Sequence, residues 1–191
     1  MAINLEGNWK SGKAFDLHTK ASTYLGVDEF GHDQFDNVRS EMGELVYQLK
    51  YKQDKQALSK IVDLLDGIAG IEGFDFIVPI PATNKKRPFQ PVELIALALG
   101  ERRHVSVASD ALTNEGAEEL KGVTDPVARN ELLTEAIKLH KPQRFDGRKI
   151  LLVDDLYRSG STLRVATALL YAEAHAGQVS VLTMTKTRSN R

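Results

Sequence analysis

Two adjacent carboxylates, Asp154 and Asp155, lie where a strongly apolar run meets a short polar turn. The residues before them, 150–153, are all aliphatic, as is typical of a central parallel strand covered on both faces. In open α/β sheets, ligands bind at the carboxyl ends of the strands. Because a carboxylate accepts hydrogen bonds, the pair is suited to hold the hydroxyl groups of a sugar. The two acids are therefore the first candidates for a binding site.

The turn after the acids supplies hydrogen-bond donors. It consists of Arg158, Ser159, Gly160, Ser161 and Thr162. Glycine permits a turn that other residues resist, and either Ser161 or Thr162 is predicted to cap the helix that follows. Backbone N–H groups at the start of a helix bind anions, and hydroxyl groups add further donors. The acids and the turn together predict a site for a ribose 5-phosphate.

The string VDDLYRSGST, residues 153–162, resembles the phosphoribosyl-pyrophosphate (PRPP) motif of type I phosphoribosyltransferases, and the wider chain resembles their ComF-like branch. The resemblance implies that Asp154 and Asp155 act in catalysis by holding the ribose hydroxyls, while residues 158–162 wrap the 5′-phosphate. It also implies Mg²⁺ as a cofactor, held near the two acids through water or PRPP hydroxyls. A simpler interpretation is that the acids and the polar turn only end a strand and cap a helix.

A second loop, after another apolar strand, carries several cations. Its segment RPFQP, residues 87–91, resembles the RGFNQ run of ComF-type proteins. The resemblance implies that Ala82, Thr83, Lys86 and Arg87 bind the pyrophosphate of PRPP. Cations in this loop suit a pyrophosphate electrostatically. A solvated basic loop is the alternative interpretation.

Two further positions bear on the resemblance. Residues 49–51, LKY, at the end of a predicted helix, resemble an LKY segment of ComF-type proteins, although basic residues there also suit the helix dipole. Arg158 departs from the family, which has Thr there or, in purine-salvage members, an Asp proposed as a base. An arginine stays protonated and cannot act as a general base, but it can contact phosphate. This weighs against hypoxanthine-type salvage and modestly against catalysis.

Two functions therefore stay open. The first is a phosphoribosyltransferase that transfers the phosphoribosyl group from PRPP to an unknown, nitrogenous acceptor and releases pyrophosphate. The second is a non-catalytic PRPP- or nucleotide-binding accessory or regulatory protein, as the association of ComF-type proteins with competence and DNA uptake implies. The sequence contains neither a GK[ST] phosphate loop nor a G-x-G-x-x-G turn, which disfavours nucleotide hydrolysis and dinucleotide chemistry.

The elements that must position these residues alternate between strand and helix, which predicts an α/β fold with a mostly parallel sheet flanked by helices. The resemblance implies the type I phosphoribosyltransferase version of this fold. Residues 1–35, rich in Gly, Asp and aromatics, are predicted to form a small N-terminal cap or hood, and residues 36–191 the α/β domain. A helix is predicted from Asp36 or Asn37 onwards, with Val38 on its apolar face.

Composition narrows the environment of the protein. The chain has 191 residues, a net charge of −1 and no cysteine, so disulfides and thiolate metal sites are excluded. The absence of cysteine makes a cytoplasmic protein our expectation, and the first residues lack the apolar run of a signal peptide. The charge balance gives no strong nucleic-acid signal, and no segment has the length of a membrane span. The expected partners are PRPP and an acceptor, and a homodimer is left open.

Overall fold

The computed structural model describes residues 2–83, 87–116, 123 and 125–188. Ten strands occur in this part of the chain: Ile3–Asn4 (β1), Ser11–Leu17 (β2), Thr19–Val27 (β3), Asp33–Arg39 (β4), Phe76–Pro79 (β5), Ser106–Val107 (β6), Leu112–Asn114 (β7), Ile137–Leu139 (β8), Lys149–Tyr157 (β9) and Gln178–Lys186 (β10). The α-helices in it are Glu41–Tyr51 (α1), Gln56–Leu65 (α2), Pro91–Arg103 (α3), Pro126–Ala136 (α4) and Ser161–Ala172 (α5).

Six strands form the central sheet in the order β1-β2-β10-β9-β5-β6. Only the β1–β2 pair is antiparallel, and the other pairs are parallel. The prediction of an α/β fold with a mostly parallel sheet is therefore confirmed. Each connection between parallel strands must cross over one face of the sheet. Different connections cross over different faces, so helices cover the sheet on both sides.

The central strand β9 separates two hydrophobic cores. Ile150 and Leu152 pack into one core with residues of α5, whereas Leu151 and Val153 pack into the other with residues of α1, α2 and α3. Successive side chains of a strand point to opposite faces, so an unbroken aliphatic run supplies both cores at once. This is why β9 lacks the polar alternation of a half-exposed strand.

The start of α1 differs from the sequence prediction. Val38 lies in β4, pairs with Ala21 of β3 and is 54% exposed, so it does not belong to the apolar face of the helix. Ser40 is the N-cap, and its Oγ accepts a hydrogen bond of 2.9 Å from the Gly43 N–H. Asp36 and Asn37 are strand residues and cap nothing. The prediction was wrong because the helical spacing from residue 42 onwards continued by chance into the strand.

The first 39 residues divide between the sheet and a hairpin. β2 pairs in parallel with β10, so residues Ser11–Leu17 are part of the central sheet. β3 and β4 pair only with each other and form an exposed two-stranded hairpin outside that sheet. The boundary predicted between residues 35 and 36 falls inside β4. A hood role for this part of the chain stays a prediction.

Candidate functional site

A cavity of about 490 Å³ opens at the carboxyl ends of β5 and β9. α1, the loops after β5 and β6, β7, the end of β9 and the first turn of α5 all contribute to its wall. Its volume lies within the range of about 300–1,000 Å³ that small-molecule sites occupy. Seven of the residues predicted from sequence line it: Ala82, Thr83, Arg87, Asp154, Asp155, Arg158 and Thr162.

The two acids lie inside the last half of β9 and not beyond its end, since the strand continues to Tyr157. Adjacent strand residues point to opposite faces, so Asp154 follows the side of Leu152 and Asp155 the side of Val153. Both nevertheless line the cavity, because it lies at the edge where the two faces meet. The sequence predicted a pair of neighbouring carboxylates, and the structure shows that their surroundings differ.

Asp155 forms an ion pair that the sequence did not reveal. The Nζ atom of Lys50, in the last turn of α1, lies 2.5 Å from the Oδ2 atom of Asp155. The two side chains are only 21% and 10% exposed, so solvent screens the pair weakly. Lys50 is the central residue of the LKY segment, whose resemblance gave it no role. A contact across 105 residues leaves no local signal in a sequence.

No cation in the described part of the chain forms an ion pair with Asp154. Its Oδ1 accepts a hydrogen bond of 2.8 Å from the backbone N–H of Asp155. Burial first, and the negative charge of Asp155 second, together raise the pKa of Asp154 to about 8, although the backbone N–H of Asp155 and the charge of Lys50 lower it in part. At neutral pH this carboxyl is therefore largely protonated while no ligand is present. A cation bound beside it would restore the carboxylate.

The turn that follows β9 is built around Gly160. Its φ is +76°, and a Cβ atom there would lie 2.6 Å from Cε2 of Tyr157. Gly160 itself is the N-cap of α5 and no side chain caps the helix, so the prediction that Ser161 or Thr162 does so was wrong. The hydroxyl of Ser159 lies 2.9 Å from the hydroxyl of Ser161 and accepts a long hydrogen bond of 3.4 Å from the backbone N–H of Ser161. A side chain at position 160 would collide with the Tyr157 ring, which favours glycine in this turn.

Not every predicted residue of this turn reaches the cavity. Among the described lining residues are Arg158 and Thr162, but not Ser159, Gly160 or Ser161. These three connect the two lining residues and fix the path of the backbone between them. The proposed phosphate loop therefore borders the cavity along its edge.

Three of the four residues predicted in the second loop line the cavity. They are Ala82, Thr83 and Arg87, and the Arg87 guanidinium lies 5.7 Å from the centre of the Tyr51 ring. Lys86 lies outside the described residues. With Lys50 and Arg158, Arg87 gives the cavity three cationic side chains against the acids of β9.

Three polar residues near the site had no signal that singled them out. Ser109, in the loop after β6, and Asn114, at the end of β7, both line the cavity, but a hydroxyl or an amide at such a position is common and indicates no site by itself. His18 lies behind the ion pair, and its Nδ1 is 3.1 Å from the Oγ1 of Thr185. Burial lowers the pKa of His18, and Arg39 lowers it further.

The chain matches no family model. Over 111 residues the chain is 32% identical to competence protein ComFC from Bacillus subtilis (strain 168), a match that covers 56% of this chain and 43% of that protein. The chain resembles a ComF-type protein. The match confirms the resemblance predicted from the motifs, and it spans less than half the length of that relative.

Solved structures of phosphoribosyltransferases also align with the chain. Adenine phosphoribosyltransferase from Thermoanaerobacter pseudethanolicus aligns over 86% of this chain and 83% of its own, with a TM-score of 0.48 and 19% identity. Orotate phosphoribosyltransferase from Aeropyrum pernix aligns over 87% of this chain and 77% of its own, with a TM-score of 0.45 and 14% identity.

No helix among the described residues is long and apolar enough to cross a lipid bilayer.

Proposed function

We propose that this chain binds PRPP together with Mg²⁺ and transfers its phosphoribosyl group to a nitrogenous acceptor, with release of pyrophosphate. The observation that carries the proposal is the convergence of two distant segments on one cavity. Asp154, Asp155 and Arg158 approach it from the end of β9, and Thr83 and Arg87 from the loop after β5. The carboxylates that we assign to the sugar and the cations that we assign to the phosphates thus line one cavity of sufficient size.

The proposed reaction requires the protein mainly to position the two substrates and to stabilise the charges that develop on them. The bond between the ribose C1′ and the pyrophosphate oxygen breaks, and its electron pair leaves with the pyrophosphate. A nitrogen of the acceptor forms the new bond to C1′ and gives up a proton to the departing pyrophosphate or to water. Because positive charge develops on the sugar and negative charge on the leaving group, fixed charges of both signs assist. In this proposal Asp154 and Asp155 bind the ribose hydroxyls and Arg87 binds the pyrophosphate, while Lys50 stays paired with Asp155.

The residues present fit a magnesium ion of the kind that substrates help to bind. No cluster of three or more His, Cys, Asp or Glu side chains that could hold a metal occurs among the described residues. Mg²⁺ is commonly held by one or two carboxylates with substrate oxygens and water. Asp154 and Asp155 would hold it directly or through water, and it would neutralise charge on the pyrophosphate.

A second function rests on one specific side chain. Arg158 lines the cavity as a permanent cation in the position where the resembled family has Thr or a proposed base. An arginine strengthens binding to phosphate groups but cannot take a proton from an acceptor. A ComF-like accessory protein that binds PRPP or a nucleotide without turnover would need only the first of these properties.

Calorimetry with PRPP, in the presence and absence of Mg²⁺, tests the binding step. The double variant Asp154→Asn/Asp155→Asn should lose at least tenfold in affinity, because both sugar-binding acceptors lose their charge. The matched control is Asp146→Asn, an exposed acid outside the cavity. Pyrophosphate release in the presence of acceptors then separates an enzyme from a binding protein. Equal affinity of the double variant and the wild type would contradict the proposed site.

A further inference from the structure

The cavity has a second polar surface, away from its acids and cations. Asn114 is 1% exposed, and neither its Nδ2 nor its Oδ1 has a hydrogen-bond partner among the described residues. The Oγ of Ser109 is also buried without a partner in that part of the chain. Both residues line the cavity. Since buried polar groups are normally hydrogen-bonded, two such groups on one wall indicate a ligand that supplies the missing partners.

This surface lies to one side of the acids. Ser109 follows β6, and β6 is separated from β9 by the single strand β5. Neighbouring strands are about 4.8 Å apart, so the segment begins about 10 Å from the strand that carries Asp154 and Asp155. Asn114 lies in β7, on the same side of the cavity. A ligand held between the acids and the cations therefore has Ser109 and Asn114 as neighbours.

The side chains of residues 109–114 that line the cavity carry no charge. They belong to Ser109, Leu112, Thr113 and Asn114. Asp110, the one acid between them, is paired with Lys141 and Arg144 on the exposed side of the molecule. The described cations of the cavity come from α1, from the loop after β5 and from the turn after β9. A carboxylate on a ligand at this wall would meet no cation of the segment.

The amide of Asn114 offers one kind of recognition. Its N–H donors and its carbonyl acceptor lie side by side, so they complement a planar group with an acceptor beside a donor. The same pairing allows asparagine to recognise the edge of a base in nucleic acids. Leu112 supplies an apolar contact of the kind that a flat ring covers.

We propose that Ser109 and Asn114 bind the phosphoribosyl acceptor, and that this acceptor is an uncharged nitrogen heterocycle with a donor beside an acceptor. The inference rests on the proposed function and deepens it, because it selects among acceptors. Uracil and hypoxanthine present the required edge without charge, and the inability of Arg158 to act as a general base, which weighs against hypoxanthine-type salvage, concerns proton transfer and not binding of the base. Orotate is uracil with one added carboxylate and should be rejected.

Equilibrium titration of uracil, hypoxanthine and orotate into protein that holds Mg²⁺ and pyrophosphate tests the site without turnover. We expect uracil or hypoxanthine to bind at least tenfold more tightly than orotate. Asn114→Leu should weaken that binding at least tenfold and leave PRPP affinity within twofold of the wild type. Asn37→Leu, at an exposed position of β4, is the matched control and should change neither affinity.

Thermal unfolding distinguishes a binding role of Asn114 from a purely structural one, because the two roles predict opposite changes in the unfolding midpoint of Asn114→Leu. Asn114→Leu removes a buried polar group without a described partner, so the midpoint of unfolding should rise, by about 2–4 °C. A structural role predicts a fall. If the leucine does not fit, Asn114→Asp keeps the shape and should show the same loss of base binding.

Three results overturn the inference: orotate bound as tightly as uracil, no binding of either uncharged base, or unchanged affinity in folded Asn114 variants. Failure of the proposed function is a separate outcome. A wild type that binds uracil through Asn114 but does not bind PRPP contradicts the proposed function and retains the base site. PRPP binding without selectivity among the bases contradicts the base site and retains the proposed function.

Discussion

The unit β9–α5 and the hairpin β3–β4 differ in what holds them in place. β9 is buried between two hydrophobic cores, and its end carries the acids of the cavity. The hairpin pairs only with itself, and its apolar side chains are largely exposed, Leu25 by 67% and Phe30 by 76%. A two-stranded hairpin alone is marginally stable. The comparison shows that position in the sheet, and not strand character, determines which segment can support chemistry.

Matched leucine substitutions should give the largest contrast. Leu152→Ala in β9 removes a fully buried side chain and should cost about 2–5 kcal/mol of unfolding free energy. Leu25→Ala in the hairpin removes an exposed side chain and should cost within about 0.5 kcal/mol. Denaturant unfolding measures both. Similar costs for the two variants would mean that the hairpin is covered in solution.

Glycine substitutions should give the second-largest contrast between the β9–α5 unit and the hairpin. Gly160 and Gly26 both have a positive φ, of +76° and +105°, so alanine is strained at either position. Only at Gly160 would the new Cβ meet another side chain, Tyr157, within 4 Å. Gly160→Ala should therefore cost about 2–3 kcal/mol and weaken PRPP binding, against about 1 kcal/mol for Gly26→Ala. Chemical denaturation and calorimetry of the two variants check this, and equal losses would contradict the close packing.

The acids should show a contrast that depends on pH. The pKa of Asp154 is raised from 3.8 to about 8, so the folded state keeps a proton that the unfolded state loses in this range. Stability should therefore fall as pH rises from about 4 to about 8. Asp154→Asn removes this effect and should stabilise the ligand-free protein by roughly 2 kcal/mol at pH 8 and little at pH 4. Unfolding curves of Asp154→Asn and of the wild type at pH 4 and pH 8 give the measurement, and an equal difference at the two pH values would contradict the raised pKa.

The smallest effect concerns His18, which joins β2 to the hairpin. Burial and Arg39 lower the pKa of His18 below 6.5, so its contribution to stability is present above pH 6.5 and is lost as pH falls below it. His18→Gln should reduce the acid loss of stability by less than about 1 kcal/mol. Exposed His32 of the hairpin serves as the control. Thermal unfolding between pH 5 and 7 gives the measurement, and identical slopes would contradict a buried His18.

Much of the fold could be predicted from the sequence, because strand runs and helical spacing are both local patterns. The aliphatic run of β9 and the helical spacing of α3 and α5 predicted the α/β layers. The role of Ser11–Leu17 was missed, because its pairing with β10 joins opposite ends of the described chain. The same limit applies to the site. Asp154 and Asp155 are adjacent in sequence, whereas Lys50 and Asn114 reach the cavity only through tertiary packing.

The placement of β10 between β2 and β9 has a consequence for biosynthesis. During translation β2 and β9 emerge before the strand that pairs with both of them. Until residues Gln178–Lys186 leave the ribosome, β2 has only the two residues of β1 as a partner, and one edge of β9 is open. Non-local pairing of this kind slows folding and exposes strand edges to aggregation. Nascent chains that stop before β10 should therefore be the species that chaperones retain.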